Sequence, residues 1–223
     1  MAPTSVSQGG LAQPAPAQAR RDFRRWPALL AALAIGAVYL VTSNRLTVGP
    51  SWLPLAVILV GLVPISWARL RGRHDLARGL AIGLLLAMTG GVVLSAFFLV
   101  TMLPRGTTQA GELLVDAALI WLANVALFAL WYWEVDCGGP SSRHHDGYRN
   151  TDFLFPQAML PDQQPAWSPG FVDYLFLAFN TSTAFSPTDT LVLSRRAKLL
   201  MMAQSLVSLV VIAFLAARAI NTL

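Results

Sequence analysis

Long apolar runs alternate with short links of arginine, glycine and proline along this chain, and the length of the runs is what most limits its fold. A hydrocarbon core of about 30 Å takes about 20 mostly apolar residues of helix to cross. Four runs meet or approach that length: Pro27–Thr42, Ser51–Ala68, Gly79–Leu103 and Leu113–Trp133. A fifth, Ala197–Ala217, lies near the end. Each is rich in Leu, Ala and Val, which suits the helix, a form that satisfies its own backbone groups in lipid. Trp26, Trp52, Trp67, Trp131 and Trp133 sit at expected run ends, where amphipathic rings favour the membrane interface.

Composition agrees. The chain is 55% hydrophobic and 12% charged, whereas a soluble domain carries about a quarter charged residues. The net charge of +5 is no sign of nucleic-acid binding, because the arginines cluster at run ends as topology determinants do. The single cysteine, Cys137, excludes an intrachain disulfide and a cysteine-only zinc site. Gly-rich phosphate loops, paired catalytic carboxylates and HExxH are absent, so no enzyme activity and no cofactor is expected.

Four regions follow. Residues 1–25 read as a disordered tail of Ala, Pro, Gln, Ser and Gly, uncharged before Arg20, with a basic juxtamembrane segment, Arg20 to Arg25. The arginine pair resembles a twin-arginine export signal, but no small-residue cleavage site follows Tyr39 and more spans come after it. Residues 26–134 form a four-helix membrane region. Residues 135–170 form a polar extramembrane loop punctuated by Gly and Pro. Residues 171–223 hold a short apolar run, Phe171–Phe179, a hydroxyl-rich stretch, Asn180-Thr-Ser-Thr-Ala-Phe-Ser-Pro-Thr-Asp189, and the last full-length run. A half-length helix, a turn and a full helix make the layout of a pore loop with its inner helix. The expected fold is therefore an all-α integral membrane protein with about five transmembrane helices and a short re-entrant pore-like helix before the last one.

The stretch from Phe171 resembles the pore module of the tetrameric potassium-channel superfamily over roughly the last quarter of the chain. That family carries Thr-Thr-x-Thr-Thr-Val-Gly-Tyr-Gly-Asp after its pore helix. Here Thr181 and Thr183 match threonines and Asp189 matches the terminal acid. Phe185 stands for the valine, Ser186 and Thr188 for the glycines, and Pro187 for the tyrosine. A potassium filter aims successive carbonyls at the ion, and glycines supply the backbone angles this needs. Ser186 and Thr188 resist that geometry and Pro187 fixes φ near about −65°. The resemblance thus implies a degenerate filter whose mouth is lined by Thr181, Thr183, Ser186, Thr188 and Asp189, in a homo-oligomer of four copies.

Other residues have two uses each. Gln204 and Ser208 lie four apart on one face of the last run, either as pore lining below the mouth or as hydrogen-bonding glue between helices. Ala213 and Ala217 make a small-xxx-small pair for close packing. Asp116, an acid inside a span, and Asn124, eight residues on, are intramembrane polar candidates with room for a shared partner. Asp136-Cys137 and His144-His145-Asp146 are metal-capable types, but their spacing matches no defined site, and no metal is expected. Asp173 and Ser168 suit the start of the short helix, Ser168 as its cap.

Orientation conflicts with the resemblance. Arg20–Arg25 and Arg69–Arg78 both belong in the cytoplasm by the arginine bias. Four crossings then return the chain to the cytoplasm before Phe171, whereas a potassium-channel loop enters from outside. One span is re-entrant or missing, or the arginine bias is violated, or the loop dips in from the cytoplasm as in ionotropic glutamate receptors, or residues 170–187 form a thin sixth span. The expected function is a channel-like protein of a bacterial-type inner membrane, weakly selective for monovalent inorganic cations. The alternatives are a non-conducting scaffold or accessory subunit and, behind it, a transporter.

Overall fold

The computed structural model describes residues 26–42, 46–47, 49–102, 110–146, 148, 150–160, 167–183 and 189–220. The expected tail and the residues Ser186 and Thr188 lie outside the described residues. Among the described residues seven α-helices run in chain order: α1 Trp26–Val41, α2 Leu53–Leu70, α3 His74–Met102, α4 Ala110–Val135, α5 Pro140–Asp146, α6 Phe171–Thr183 and α7 Arg195–Ile220. The described β-structure is a two-residue ladder, β1 Phe153–Leu154 antiparallel to β2 Leu191–Val192, with Phe153 opposite Val192. The all-α expectation holds.

Four described helices, α2, α3, α4 and α7, are long and apolar enough to cross a membrane, which makes this a multi-pass membrane protein by length and composition. The first expected span, α1, is apolar but has 16 residues, about 24 Å of helix at 1.5 Å per residue. Pro54 sits in the first turn of α2, where a missing N–H costs nothing, and Pro64 lies inside it.

Helix α4 is the axis of the bundle. It packs against α1, α3, α6 and α7, and 61% of its apolar window is buried against 17%, 33% and 22% for α2, α3 and α7. Its small residues Ala117, Ala123 and Ala129 are fully buried and let neighbours approach. Hydrogen bonds tie the spans: Trp131 Nε1 donates to Thr89 Oγ1 at 2.9 Å, joining α4 to α3, and the Ser95 hydroxyl lies 3.4 Å from that of Tyr39 on α1. At Gly36, α1 meets α2 so closely that a Cβ would stand 2.6 Å from Leu55 Cδ1.

The two ends of the bundle differ. The pair of Arg69 with Glu134 (3.9 Å) and the Ser141 contact with His74 (3.4 Å) bring the end of α2, the start of α3 and the end of α4 together. Arg196 bonds Asp152 from the start of α7. Arg69, Arg71, Arg73, Arg78, Arg143, Arg195, Arg196 and Lys198 therefore all lie at or near one end.

Candidate functional site: a re-entrant half-helix and the polar groups that hold it

Helix α6 starts at the arginine-rich end. Gly170 precedes it, and the Gly170 N–H donates to Asp173 Oδ2 at 2.7 Å. This reach-back bond starts the helix in place of the cap expected from Ser168, whose hydroxyl is buried elsewhere. One side of it is buried, through Phe171, Tyr174, Leu177 and Ala178. Thirteen residues carry it about 20 Å, short of a 30 Å core. By Leu191 the chain is back at the same end, paired with β1, and the Leu193 N–H donates to Asp152 O at 2.9 Å. The chain therefore leaves the arginine-rich end at Gly170 and is back at that end by Leu191. A thin sixth span does not describe this path.

A polar cluster fixes α6 to both neighbours. The Gln204 side chain of α7 is fully buried. Its Nε2 donates to Ala178 O and to Ser182 Oγ on α6, each at 2.7 Å, and its Oε1 accepts from the Tyr132 hydroxyl of α4. One turn on, Asn124 Nδ2 of α4 donates to Ser208 Oγ at 2.8 Å and more weakly to Gln204 O at 3.4 Å. Gln204 and Ser208 thus face the interior of a single chain, not an open path beneath a mouth. The amide of Gln204 meets groups on two helices at once, and this chemistry favours burial between them. Within one copy they bond neighbouring helices, which fits the hydrogen-bonding glue expected of them. Asn124 shares its partners with these residues. Asp116 is also buried, two turns earlier in α4.

The hydroxyls expected at the mouth are differently placed. Thr181 and Thr183 form the last turn of α6, and their hydroxyls bond helix carbonyls, Thr181 to Leu177 O at 2.8 Å and Thr183 to Phe179 O at 3.1 Å. They belong to the half-helix rather than to an extended filter strand. Asp189 is exposed at the return toward β2. The outward side of α6 and α7 is apolar: Phe176 is 63% exposed, Leu206 63% and Leu209 65%. Ala213 of the small-residue pair is also exposed.

The segment after α4, expected as a polar loop, is folded. Asp136 is completely buried. Its Oδ1 accepts from the Asp152 N–H at 2.6 Å and the Phe153 N–H at 3.3 Å, and Oδ2 from the Tyr174 hydroxyl at 2.5 Å. Arg143 reaches back to Asp136 O at 2.6 Å and Trp133 O at 2.7 Å, capping the last carbonyls of α4. Its guanidinium stacks 4.6 Å over Trp133 and 5.2 Å over Tyr174. Asp152, almost fully buried, takes both arms of Arg196 at 2.7 and 2.6 Å. Tyr148 donates to Phe153 O, and burial, with the Asp136 charge next in effect, pushes its hydroxyl pKa upward. Phe153, Phe155, Trp167 and Tyr174 interleave edge to face around these groups.

Sequence reasoning named Asp136 and Cys137 only as metal-capable types and passed over Arg143, Asp152 and Tyr174. Among the described residues no three His, Cys, Asp or Glu side chains come together as a metal group. Residues His144 and His145 lie in α5, with side chains outside the described ones. The signal for Asp152 and Arg196 was faint, since an acid and an arginine 44 residues apart reveal no pairing until β1 and β2 meet.

No family model, curated protein or solved structure matches this chain.

Proposed function

We propose that the chain is a channel-like protein of a bacterial-type inner membrane, weakly selective for monovalent cations and assembled as a homo-oligomer, four copies by the resemblance. One observation carries this reading. Helix α6 enters and returns at a single end, packed between α4 and α7, the layout that a pore loop requires. Further support comes from charge. The C-terminal end of a helix carries partial negative charge, so α6 directs that end into the bundle, where cations are favoured. Asp189 adds an exposed carboxylate at the return, and Thr181 and Thr183 supply hydroxyls in the last turn of α6. The apolar outer faces of α6 and α7 and the exposed Ala213 suit contact with a second copy.

A non-conducting scaffold is the second reading. It is favoured by Gln204 and Ser208, whose polar atoms are committed inside one chain. Cation flux into proteoliposomes separates the two, with wild type beside Asp189→Ala and Thr183→Trp. Flux in the wild type that falls in both variants, at unchanged oligomer size by cross-linking, supports a channel. Absence of flux under any cation or voltage, or a monomer in detergent, leaves the scaffold.

A further inference from the structure

Two cavities meet at the arginine-rich end, and their chemistry is complementary. The first is a polar cleft of about 50 Å³ between the start of α3 and the turn leading into α5, lined by Arg69, Asp75, Arg78, Glu134 and Ser142. The second is an apolar crevice of about 70 Å³ among α1 to α4, lined by Leu29, Leu62, Leu84, Met88 and Trp133. Arg69, Glu134 and Pro140 line both. The pair forms a continuous site with a charged head and a hydrocarbon tail.

The head carries both signs. Arg69 and Arg78 offer guanidinium donors, and the Arg78 Nε is buried with no hydrogen-bond partner among the described residues. A buried donor of this kind costs free energy until an acceptor reaches it. Glu134 and Asp75 supply carboxylates to the same cleft. Gly138 and Gly139, at φ +78° and +101°, form its floor, where a Cβ would stand 3.9 and 3.8 Å from the Arg78 guanidinium. A purely anionic ligand would meet the two carboxylates unfavourably. A phosphate joined to a primary ammonium satisfies both halves, the phosphate on the arginines and the ammonium on the acids. The open apolar crevice then takes the first methylenes of an acyl chain, the rest of which lies outside it.

We infer that this site binds a zwitterionic glycerophospholipid of the phosphatidylethanolamine type. The lipid wedges its headgroup between α3 and the α4–α5 turn and the start of one acyl chain into the crevice among α1 to α4. It would hold the four-helix region together at the end where α6 enters, and this holds whether or not the protein conducts.

The test is native mass spectrometry of the full-length protein titrated with dioleoyl phosphatidylethanolamine, dioleoyl phosphatidylglycerol, dioleoyl phosphatidylcholine and soluble glycerophosphoethanolamine. Phosphatidylethanolamine is expected to bind tightest. Arg78→Gln is expected to weaken it about tenfold, the loss of one charge-assisted contact. Glu134→Gln is expected to remove the preference for phosphatidylethanolamine over phosphatidylglycerol, with Asp75→Asn as the second variant should Glu134→Gln fail to fold. Arg73→Gln, exposed outside the cleft, should change nothing. Equal binding of phosphatidylglycerol or phosphatidylcholine by the wild type would overturn the headgroup assignment. Equal binding of the soluble headgroup would overturn the acyl crevice. An Arg73→Gln effect as large as that of Arg78→Gln would reduce the site to general surface charge.

Discussion

Asp152 and Arg196 show how one side-chain pair can decide where a re-entrant segment returns. The Asp152 side chain is 2% exposed and that of Arg196 54%. Removing the arginine leaves a carboxylate buried without its counter-charge, which costs more than the pair itself contributes. Arg196→Ala should therefore lower stability by on the order of 1–3 kcal/mol, discounted for the exposed partner. Adding Asp152→Asn to it should restore a good part of that loss. Thermal unfolding in detergent reads the cycle, and strict additivity of the two changes would show that the pair does not couple β1 to α7. Gln204 is the second such residue. Gln204→Leu keeps the volume but strands the Ala178 carbonyl and the Ser182 and Tyr132 hydroxyls. A loss of about 1–2 kcal/mol is expected, at the upper end for hydrogen bonds between membrane helices. An unchanged melting temperature would mean that α6 is held by apolar packing alone. Neither effect was legible in sequence. Gln204 and Ser208 share a helical face, yet periodicity does not say whether that face meets a path or a neighbouring helix. In a membrane protein both surroundings accept the same residues.

At the scale of elements, length was informative and direction was not. The runs expected at Ser51–Ala68, Gly79–Leu103, Leu113–Trp133 and Ala197–Ala217 became α2, α3, α4 and α7 with ends shifted by a few residues. A run must be long to cross lipid, so its presence survives any detail of packing. The short run at Phe171 became α6, a half-helix, because thirteen residues are too few to cross and the basic Arg195-Arg196 segment restarts the chain at the same end. The segment after α4, read from sequence as a polar loop, holds more local order in its described residues than its composition shows. Its order comes from Asp136, Arg143 and four aromatic rings meeting from distant positions, a pattern without periodicity. Close helix approach was equally hidden at Gly36. Gly36→Ala pushes a methyl group against Leu55 Cδ1 and within 3.1 Å of Leu55 Cα. The backbone contact leaves little room to relax, so a destabilisation of about 1–3 kcal/mol is expected. A Gly36→Ala protein as stable as the wild type would show that α1 slides freely on α2, and α1 would then be a peripheral helix.

For the whole molecule, the distribution of arginine bears directly on the orientation conflict. The link from α2 to α3, the folded segment after α4 and the start of α7 share one end. The arginine bias and the entry of α6 therefore no longer compete, because both refer to that end. Under the arginine bias this end is expected in the cytoplasm, and α6 would then dip in from the cytoplasm, opposite to a potassium channel. The test uses a Cys137→Ser background carrying single cysteines at Arg71, Thr47 or Asp189, labelled in intact cells and in inverted vesicles with a membrane-impermeant maleimide. Arg71→Cys and Asp189→Cys should label together in inverted vesicles only. Thr47→Cys, in the α1–α2 link at the opposite end, should label in intact cells. If Asp189→Cys labels with Thr47→Cys instead, residues 171–189 cross the membrane, and both the re-entrant helix and the channel-like function built on it fall. If all three positions invert together, α6 stays re-entrant but enters from outside, the arginine bias is broken, and the orientation of a potassium channel returns.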